Sequence, residues 1–251
     1  MKILIYPFKL LFTIWAWFYA IWAMITQRLL GSMMALFYKD KEWGRISATK
    51  ALVRLGLFAC GFKLYTQGKE NIPKNGNFIL VSNHQSHVDI VMFMATVPKK
   101  FGFIAKKELL KIPVLSGTLK KQGHVLIDRG NARKAVREIE RLKTIIKENG
   151  KSILFFPEGT RTLDGTIGAF RKGAFQIAVQ TGTPIVPCFI HGTVNILNKK
   201  SLMMWPGKVN LIIGKPIHIK KVKDKQEERE YIQELMHQTR EQILAFQRRI
   251  A

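Results

Sequence analysis

The stretch that decides the fold is residues 78–89, FILVSNHQSHVD, in which a short apolar run gives way to polar residues. The run 78–82 predicts a buried β-strand, and the residues after it are expected to turn into a helix. In open α/β sheets, ligand sites lie at the carboxyl ends of strands. The side chains of His84 and Asp89 are therefore candidates for a functional site.

Short apolar runs alternate with helical patterns beyond this stretch, and such alternation is typical of an α/β sheet. A helix is also indicated before it, at 43–62. The sequence predicts an N-terminal helical region at 1–62 and a catalytic domain at 63–251. The further strands are expected at 101–105, 124–127, 152–156, 184–190 and 209–213, and the further helices at about 132–148, 169–180 and 227–248.

The composition indicates a folded and strongly basic protein. Of its 251 residues, 47% are hydrophobic, and 41 Lys and Arg against 17 Asp and Glu give a formal net charge of +24. Such a chain is not disordered, and its surface attracts polyanions: nucleic acid, anionic lipid, phosphorylated substrates or an acidic carrier protein. Cys60 and Cys188 have no CxxC partner, so neither a disulfide framework nor a structural zinc ion is expected.

The first 43 residues hold eleven of the 26 aromatic residues, and they include uncharged runs at 10–27 and 29–38. The first run is near the lower limit of the roughly 17–25 residues that cross a bilayer. Its Trp, Tyr and Phe residues prefer the headgroup interface. We expect helices from both runs to lie in the cytoplasmic leaflet of the cell membrane as a monotopic anchor. A spanning segment and a buried core helix are the alternatives.

The five-residue spacing of His84 and Asp89 restricts how they can meet. On one continuous helix the two side chains would point about 140° apart. They can pair only if His84 lies in the turn before the helix and Asp89 lies in its first turn. The pair could then act as a general base, and because no GxSxG nucleophile is present, the attacking group would come from the substrate. A purely structural role is the alternative; a metal site that includes His87 lacks the usual ligand spacing.

Cationic side chains follow three other predicted strands. FFPEGTR at 155–161 provides Gly159 for close backbone approach, the Thr160 hydroxyl and the Arg161 guanidinium, which matches phosphate in a bidentate manner. Lys106 and Arg129 follow the strands at 101–105 and 124–127. Each segment alone could be an ordinary surface turn. Their convergence on the edge that carries His84 instead indicates a site for a phosphorylated substrate.

Four sequence blocks resemble those of the 1-acylglycerol-3-phosphate acyltransferase family. The blocks lie within 78–192, in the order and spacing of the family, and only Leu126 and Cys188 depart slightly from its pattern. The resemblance implies a central mixed, mostly parallel sheet flanked by helices. The blocks are NHQSHVD at 83–89, KKELLKIPVLSG at 106–117 with GHVLIDR at 123–129, FPEGTR at 156–161, and VPCFI at 186–190.

The resemblance also implies a reaction. His84, oriented by Asp89, would deprotonate the sn-2 hydroxyl of lysophosphatidic acid, which attacks the thioester of acyl-CoA or acyl-carrier protein to give phosphatidic acid for phospholipid biosynthesis. The acceptor phosphate would be bound by a set in which Arg161 is the main ligand and Glu158 and Gly159 shape the loop. This phosphate-binding set comprises Lys106, Arg129, Glu158, Gly159, Thr160 and Arg161. No cofactor or metal ion is implied.

Several alternatives remain open at this level. The acceptor could be glycerol-3-phosphate or a lysolipid with a different headgroup, because these enzymes share the same blocks. A non-catalytic basic protein at the anionic membrane surface would have no need of His84 and Asp89. A nucleic-acid-binding protein would interleave aromatic residues with Lys and Arg. Here the aromatic residues concentrate in the uncharged N-terminal runs, so no nucleic acid is expected as a partner.

Overall fold

The structure is a computed structural model that describes residues 2–106, 111, 124–127, 132–148 and 150–250. The helices of this part of the chain are α1 (Lys2–Phe37), α2 (Lys41–Ala59), α3 (Val88–Thr96), α4 (Ala132–Lys147), α5 (Gly173–Thr181), α6 (Thr193–Ile196) and α7 (Lys225–Arg248). The strands are β1 (Lys63–Gln67), β2 (Ile79–Ser82), β3 (Phe101–Lys106), β4 (Val125–Ile127), β5 (Ser152–Phe155), β6 (Ile185–His191) and β7 (Lys208–Ile213).

Within the described ranges, seven strands form one sheet in the order β1-β7-β6-β2-β5-β3-β4. The strands from β6 to β4 all run parallel to one another. Strand β7 is antiparallel to β6, and β1 is parallel to β7, so these two run in the opposite direction. The sheet is mixed and mostly parallel, which confirms the expected architecture.

Strand β2 lies inside the sheet, and its residues have no exposed surface. Because side chains alternate along a strand, Leu80 packs with α1, α2 and α3 on one face of the sheet. Ile79 and Val81 pack with α4, α5 and α7 on the other face. Two apolar clusters therefore hold the strand that leads into the polar segment 83–89.

The short helix α6 was not predicted, and helix α1 and strand β1 also differ from the sequence prediction. The uncharged runs 10–27 and 29–38 form the single helix α1 and not two helices. The intervening Arg28 has good helix propensity and an exposed side chain, so it does not end the helix. Strand β1 was not predicted, because its residues alternate between exposed and half-buried and lack an apolar run.

Helices α1 and α2 pack closely as an antiparallel pair. A Cβ atom on Gly44 would lie 2.9 Å from the Cα of Ala35, and one on Gly56 would lie 2.6 Å from the Tyr19 ring. The Tyr19 hydroxyl donates to the Leu52 carbonyl at 2.7 Å. Residues 6–37 are long and apolar enough to cross a membrane, by length and composition alone.

Candidate active site

His84 and Asp89 meet at the carboxyl end of β2. His84 lies in the turn that follows the strand, and Asp89 lies in the first turn of α3. The Nδ1 atom of His84 is 2.7 Å from Oδ2 of Asp89. The geometry that the five-residue spacing requires is therefore present, whereas the catalytic role of the pair stays a prediction.

Asp89 is fixed by a network of donors. Its Oδ2 atom also accepts from the backbone amides of Gln85 at 2.8 Å and Ser86 at 3.0 Å. Its Oδ1 atom accepts from the Thr193 hydroxyl at 2.5 Å. The carboxylate is completely buried. With both oxygens engaged, Asp89 has one orientation and can hold the His84 ring in one tautomer.

The His84 imidazole is positioned for proton transfer at Nε2. Because Asp89 is an acceptor, the hydrogen-bond network assigns the proton to Nδ1 and leaves a lone pair on Nε2. The ring stacks on Phe156 with centroids 3.9 Å apart and an interplanar angle of 13°. The side chain remains 15% exposed, so a substrate hydroxyl can approach it.

Glu158 connects the segment after β5 to the segment after β2. Its Oε1 atom accepts from the His84 amide at 2.9 Å, and Oε2 accepts from the Gly168 amide at 2.9 Å. Burial raises the pKa of Glu158, although both hydrogen bonds oppose this shift. The carboxylate is directed at backbone amides, which supports its predicted part in shaping the loop.

Residues 158–161, hereafter the 158–161 loop, are held against His84. The amide of Thr162 donates to the His84 carbonyl at 2.9 Å. Gly159 has φ of 72°, a conformation that other residues rarely adopt, and a Cβ there would lie 3.0 Å from the Arg171 guanidinium. Thr160 is exposed and Arg161 is half-buried. The turn thus presents a hydroxyl and a guanidinium at the edge of the sheet.

The Arg161 charge acts on the segment that carries His84, His87 and Asp89. Partial burial lowers the pKa of Arg161, and the nearby Asp89 carboxylate raises it. Partial burial, Arg161 and His84 together lower the pKa of His87 to about 4, whereas Asp89 opposes this shift. His87 is therefore neutral at physiological pH. A cation that acts on both Asp89 and His87 is suited to an anionic group of a substrate that reaches His84.

All of the predicted phosphate-binding roles stay predictions, and the side chains of two of the predicted ligands are not described. Lys106 is the last residue of β3, whose carboxyl end lies on the same edge of the sheet as that of β2. Its side chain lies outside the described part of the structure, and Arg129 lies entirely outside the described residues. Their roles stay predictions.

Sequence reasoning missed Thr193 and Lys199. Thr193 begins α6 immediately after β6, which is the neighbour of β2, so its hydroxyl reaches Asp89. Lys199 donates to Thr160 Oγ1 at 2.8 Å and to the Arg161 carbonyl at 3.1 Å. The strand predicted at 184–190 signals that a polar residue after it could reach the site. No comparable signal exists for Lys199.

Comparison with known proteins relates this chain to acyltransferases. A family model described as Acyltransferase matches residues 63–191. The chain is 38% identical over 159 residues to chloroplastic 1-acyl-sn-glycerol-3-phosphate acyltransferase LPAT1 of Arabidopsis thaliana, covering 62% of this chain and 44% of that protein. It is 35% identical over 151 residues to 1-acyl-sn-glycerol-3-phosphate acyltransferase of Borreliella burgdorferi, covering 60% of each.

The chain spans about half the length of the curated relatives it matches. A solved structure is similar over a larger share of the chain. The crystal structure of the 1-acyl-sn-glycerophosphate (LPA) acyltransferase PlsC from Thermotoga maritima superposes with a TM-score of 0.76 at 32% identity. That match covers 93% of this chain and 95% of the Thermotoga chain, so almost the whole fold is shared.

Proposed function

The chain belongs to the acyltransferase family, and from this premise we propose that it transfers a fatty acyl group from an acyl thioester to the sn-2 hydroxyl of 1-acylglycerol-3-phosphate. The product is phosphatidic acid, a precursor in phospholipid biosynthesis. The observation that carries the proposal is the His84–Asp89 pair beside the Arg161 cation. The names of the related proteins supply the acceptor class.

The proposed reaction follows from the free Nε2 atom of His84. This nitrogen takes the proton of the sn-2 hydroxyl while the hydroxyl oxygen attacks the thioester carbonyl. The tetrahedral intermediate then expels the thiolate and leaves the new ester. The thiolate takes the proton back from His84, so the enzyme returns to its starting state. Asp89 fixes the ring and stabilises the transient imidazolium.

The acceptor phosphate is expected to bind the 158–161 loop. Arg161 offers a planar pair of donors that matches phosphate, and Thr160 adds a hydroxyl. Lys106 and Arg129 are expected to assist, since they follow neighbouring strands of the same sheet. The net charge of +24 suits anionic partners, namely lysophosphatidic acid and either acyl-CoA or acyl-carrier protein.

The N-terminal helices are proposed to hold the site at the cytoplasmic face of the cell membrane. Large apolar side chains of α1 are exposed, among them Phe8, Leu11, Phe18 and Leu29. A soluble protein rarely exposes so continuous an apolar surface. Aromatic residues along α1 favour the headgroup interface, so α1 and α2 are proposed to lie in one leaflet.

An acceptor panel tests the proposed reaction. The full-length protein, purified in neutral detergent, is assayed with lysophosphatidic acid, glycerol-3-phosphate and lysophosphatidylglycerol against acyl-CoA and acyl-carrier protein. We expect phosphatidic acid from lysophosphatidic acid and at least one donor. Acylation of glycerol-3-phosphate alone would contradict the acceptor assignment. Binding to membranes without turnover of any acceptor would favour a non-catalytic surface protein.

Labelling of introduced cysteines tests the anchor. Cysteines at positions 2 and 200 are probed from each side of the membrane, and the native Cys60 and Cys188 are buried. Both introduced cysteines should react only from the cytoplasmic side, and carbonate or high salt should not extract the protein. A position 2 reached from outside, with position 200 protected, would mean that α1 spans the membrane.

A further inference from the structure

The connection between α6 and β7, residues 197–207, contacts the active-site segments directly. A β-bridge between Leu197 and Met204 closes this 197–207 loop. The Ser86 hydroxyl donates to the Leu197 carbonyl at 2.7 Å, and the Asn198 amide group donates to the Leu163 carbonyl at 3.1 Å. The loop is therefore fixed both to the segment that carries His84 and Asp89 and to the chain just after the 158–161 loop.

Lys199 extends from this loop to the 158–161 loop. Its ammonium group donates to Thr160 Oγ1 at 2.8 Å and to the Arg161 carbonyl at 3.1 Å. An ammonium has three donors, so within the described part of the chain one is left for a ligand. Because Thr160 accepts from Lys199 and its hydroxyl proton has no acceptor among the described residues, that proton can be donated to a ligand. Two further donors thus lie at the 158–161 loop, namely the Thr160 hydroxyl and the Lys199 ammonium beside the backbone carbonyl of Arg161.

The other side of the 197–207 loop rests on α1. The Met204 amide donates to the Thr13 hydroxyl at 3.0 Å, and the Trp17 indole donates to the Leu202 carbonyl at 3.0 Å. The Leu202 side chain itself is 74% exposed. Lys199 therefore lies where the exposed apolar helix meets the site. The phosphate of a lipid is expected at this position when its acyl chain lies along the exposed apolar surface of α1.

We propose that Lys199, together with Thr160, makes the acceptor site selective for a phosphomonoester. The proposal rests on the proposed function, and it assigns a specificity-determining residue to that same site. A phosphomonoester carries a charge of about −1.5 to −2 near pH 7 and has three terminal oxygens. A phosphodiester carries a single charge and has two. A second cation and an additional donor beside Arg161 therefore favour the monoester.

This selectivity separates lysophosphatidic acid from other lysolipids. Its phosphate is a monoester, whereas lysophosphatidylglycerol and similar lipids are phosphodiesters. Arg161 can bind two oxygens of either class. The third terminal oxygen and the second charge exist only in the monoester, and Lys199 and Thr160 are the groups placed to recognise them.

The test compares Lys199→Ala with Lys199→Arg and with Lys200→Ala. Lys200 is the matched control, since it is the adjacent exposed lysine and only its backbone amide is hydrogen-bonded in the described contacts. Acceptor KM and kcat are measured for lysophosphatidic acid in neutral detergent micelles, which removes attraction to an anionic bilayer. Lysophosphatidylglycerol is measured in parallel as an acceptor or competitive inhibitor.

We expect Lys199→Ala to raise the KM for lysophosphatidic acid about tenfold, as for loss of one charged hydrogen bond at an exposed site, with kcat within about twofold. The affinity for lysophosphatidylglycerol should not change. Lys199→Arg should recover most of the loss, and Lys200→Ala should behave as wild type. An unchanged KM, or an equal loss for both lipids, would overturn the selectivity alone. A wild-type enzyme that does not acylate lysophosphatidic acid would overturn the proposed function itself.

Discussion

The inner and outer sides of the site are built differently. On the inner side, Asp89 is completely buried and accepts hydrogen bonds from four donors. On the outer side, Thr160 and Lys199 are exposed and Arg161 is half-buried. Buried and fully paired groups keep one geometry, whereas exposed cations are hydrated and screened. The comparison suggests that the inner side serves proton transfer, which depends on exact placement, and that the outer side serves capture of an anion.

The largest effect is expected from the inner side. His84→Ala removes the proposed general base and should lower kcat by about 10³-fold or more, with acceptor affinity nearly unchanged. Turnover and equilibrium binding of lysophosphatidic acid are the measurements. His87→Ala, which removes a neighbouring imidazole, is the matched control, and an equal loss of kcat in both variants would contradict the assignment.

The second largest effect, a loss of acceptor affinity, is expected from a change on the outer side. Arg161→Ala removes a charged donor pair from the phosphate, and it should weaken acceptor binding by about 1.5–3 kcal/mol with kcat within a few-fold. Arg161→Lys should recover only part of the affinity, because an ammonium cannot bind two oxygens with a planar fork. Steady-state kinetics with lysophosphatidic acid give the comparison. Lys172→Ala is the control, because it removes an exposed lysine outside the site and should leave the acceptor KM unchanged. An unchanged acceptor KM in Arg161→Ala would exclude Arg161 from the phosphate site.

A smaller loss of kcat is expected from Thr193, and its test distinguishes a positioning role from a role in stability alone. Thr193→Val keeps the side-chain shape but removes the donor to Asp89 Oδ1, so the His84–Asp89 geometry should loosen. We expect kcat about tenfold lower with acceptor KM unchanged, and recovery in Thr193→Ser. Thr239→Val is the matched control, because that buried hydroxyl donates to the Leu235 carbonyl in α7 and no described contact joins it to the site. Equal losses of kcat in Thr193→Val and Thr239→Val would indicate a stability effect.

The inner pair could be predicted from the sequence because its geometry is local. Five residues, a strand end and the first turn of a helix determine how His84 meets Asp89. Thr193 could not be predicted in the same way. It reaches Asp89 across 104 positions of sequence, and only the pairing of β6 with β2 brings the two together.

The strands and loops of the fold show the same contrast between elements that local sequence determines and elements that distant residues determine. The central strands were predictable because they are buried on both faces and each has a run of three apolar residues. The edge strand β1 was missed because its pairing depends on its neighbour β7 and not on an apolar pattern of its own side chains. Lys199 was missed because the 197–207 loop is positioned by α1 and by the segment 160–163, which are far apart in sequence.

The smallest effect is expected from ionic strength, which tests the difference between the inner and outer sides of the site as a whole. Raising salt from about 0.05 M to about 0.5 M shortens the Debye length well below 10 Å, so exposed cations lose much of their attraction for an anion. Buried contacts such as those of Asp89 are screened far less. We therefore expect the acceptor KM to rise about threefold in neutral micelles while kcat stays constant. In the Arg161→Ala, Lys199→Ala double variant the KM should become nearly independent of salt, and sucrose at matched osmolality should reproduce none of the effect. A kcat that falls with salt at constant KM would mean that the inner side, and not the outer side, carries the exposed charge.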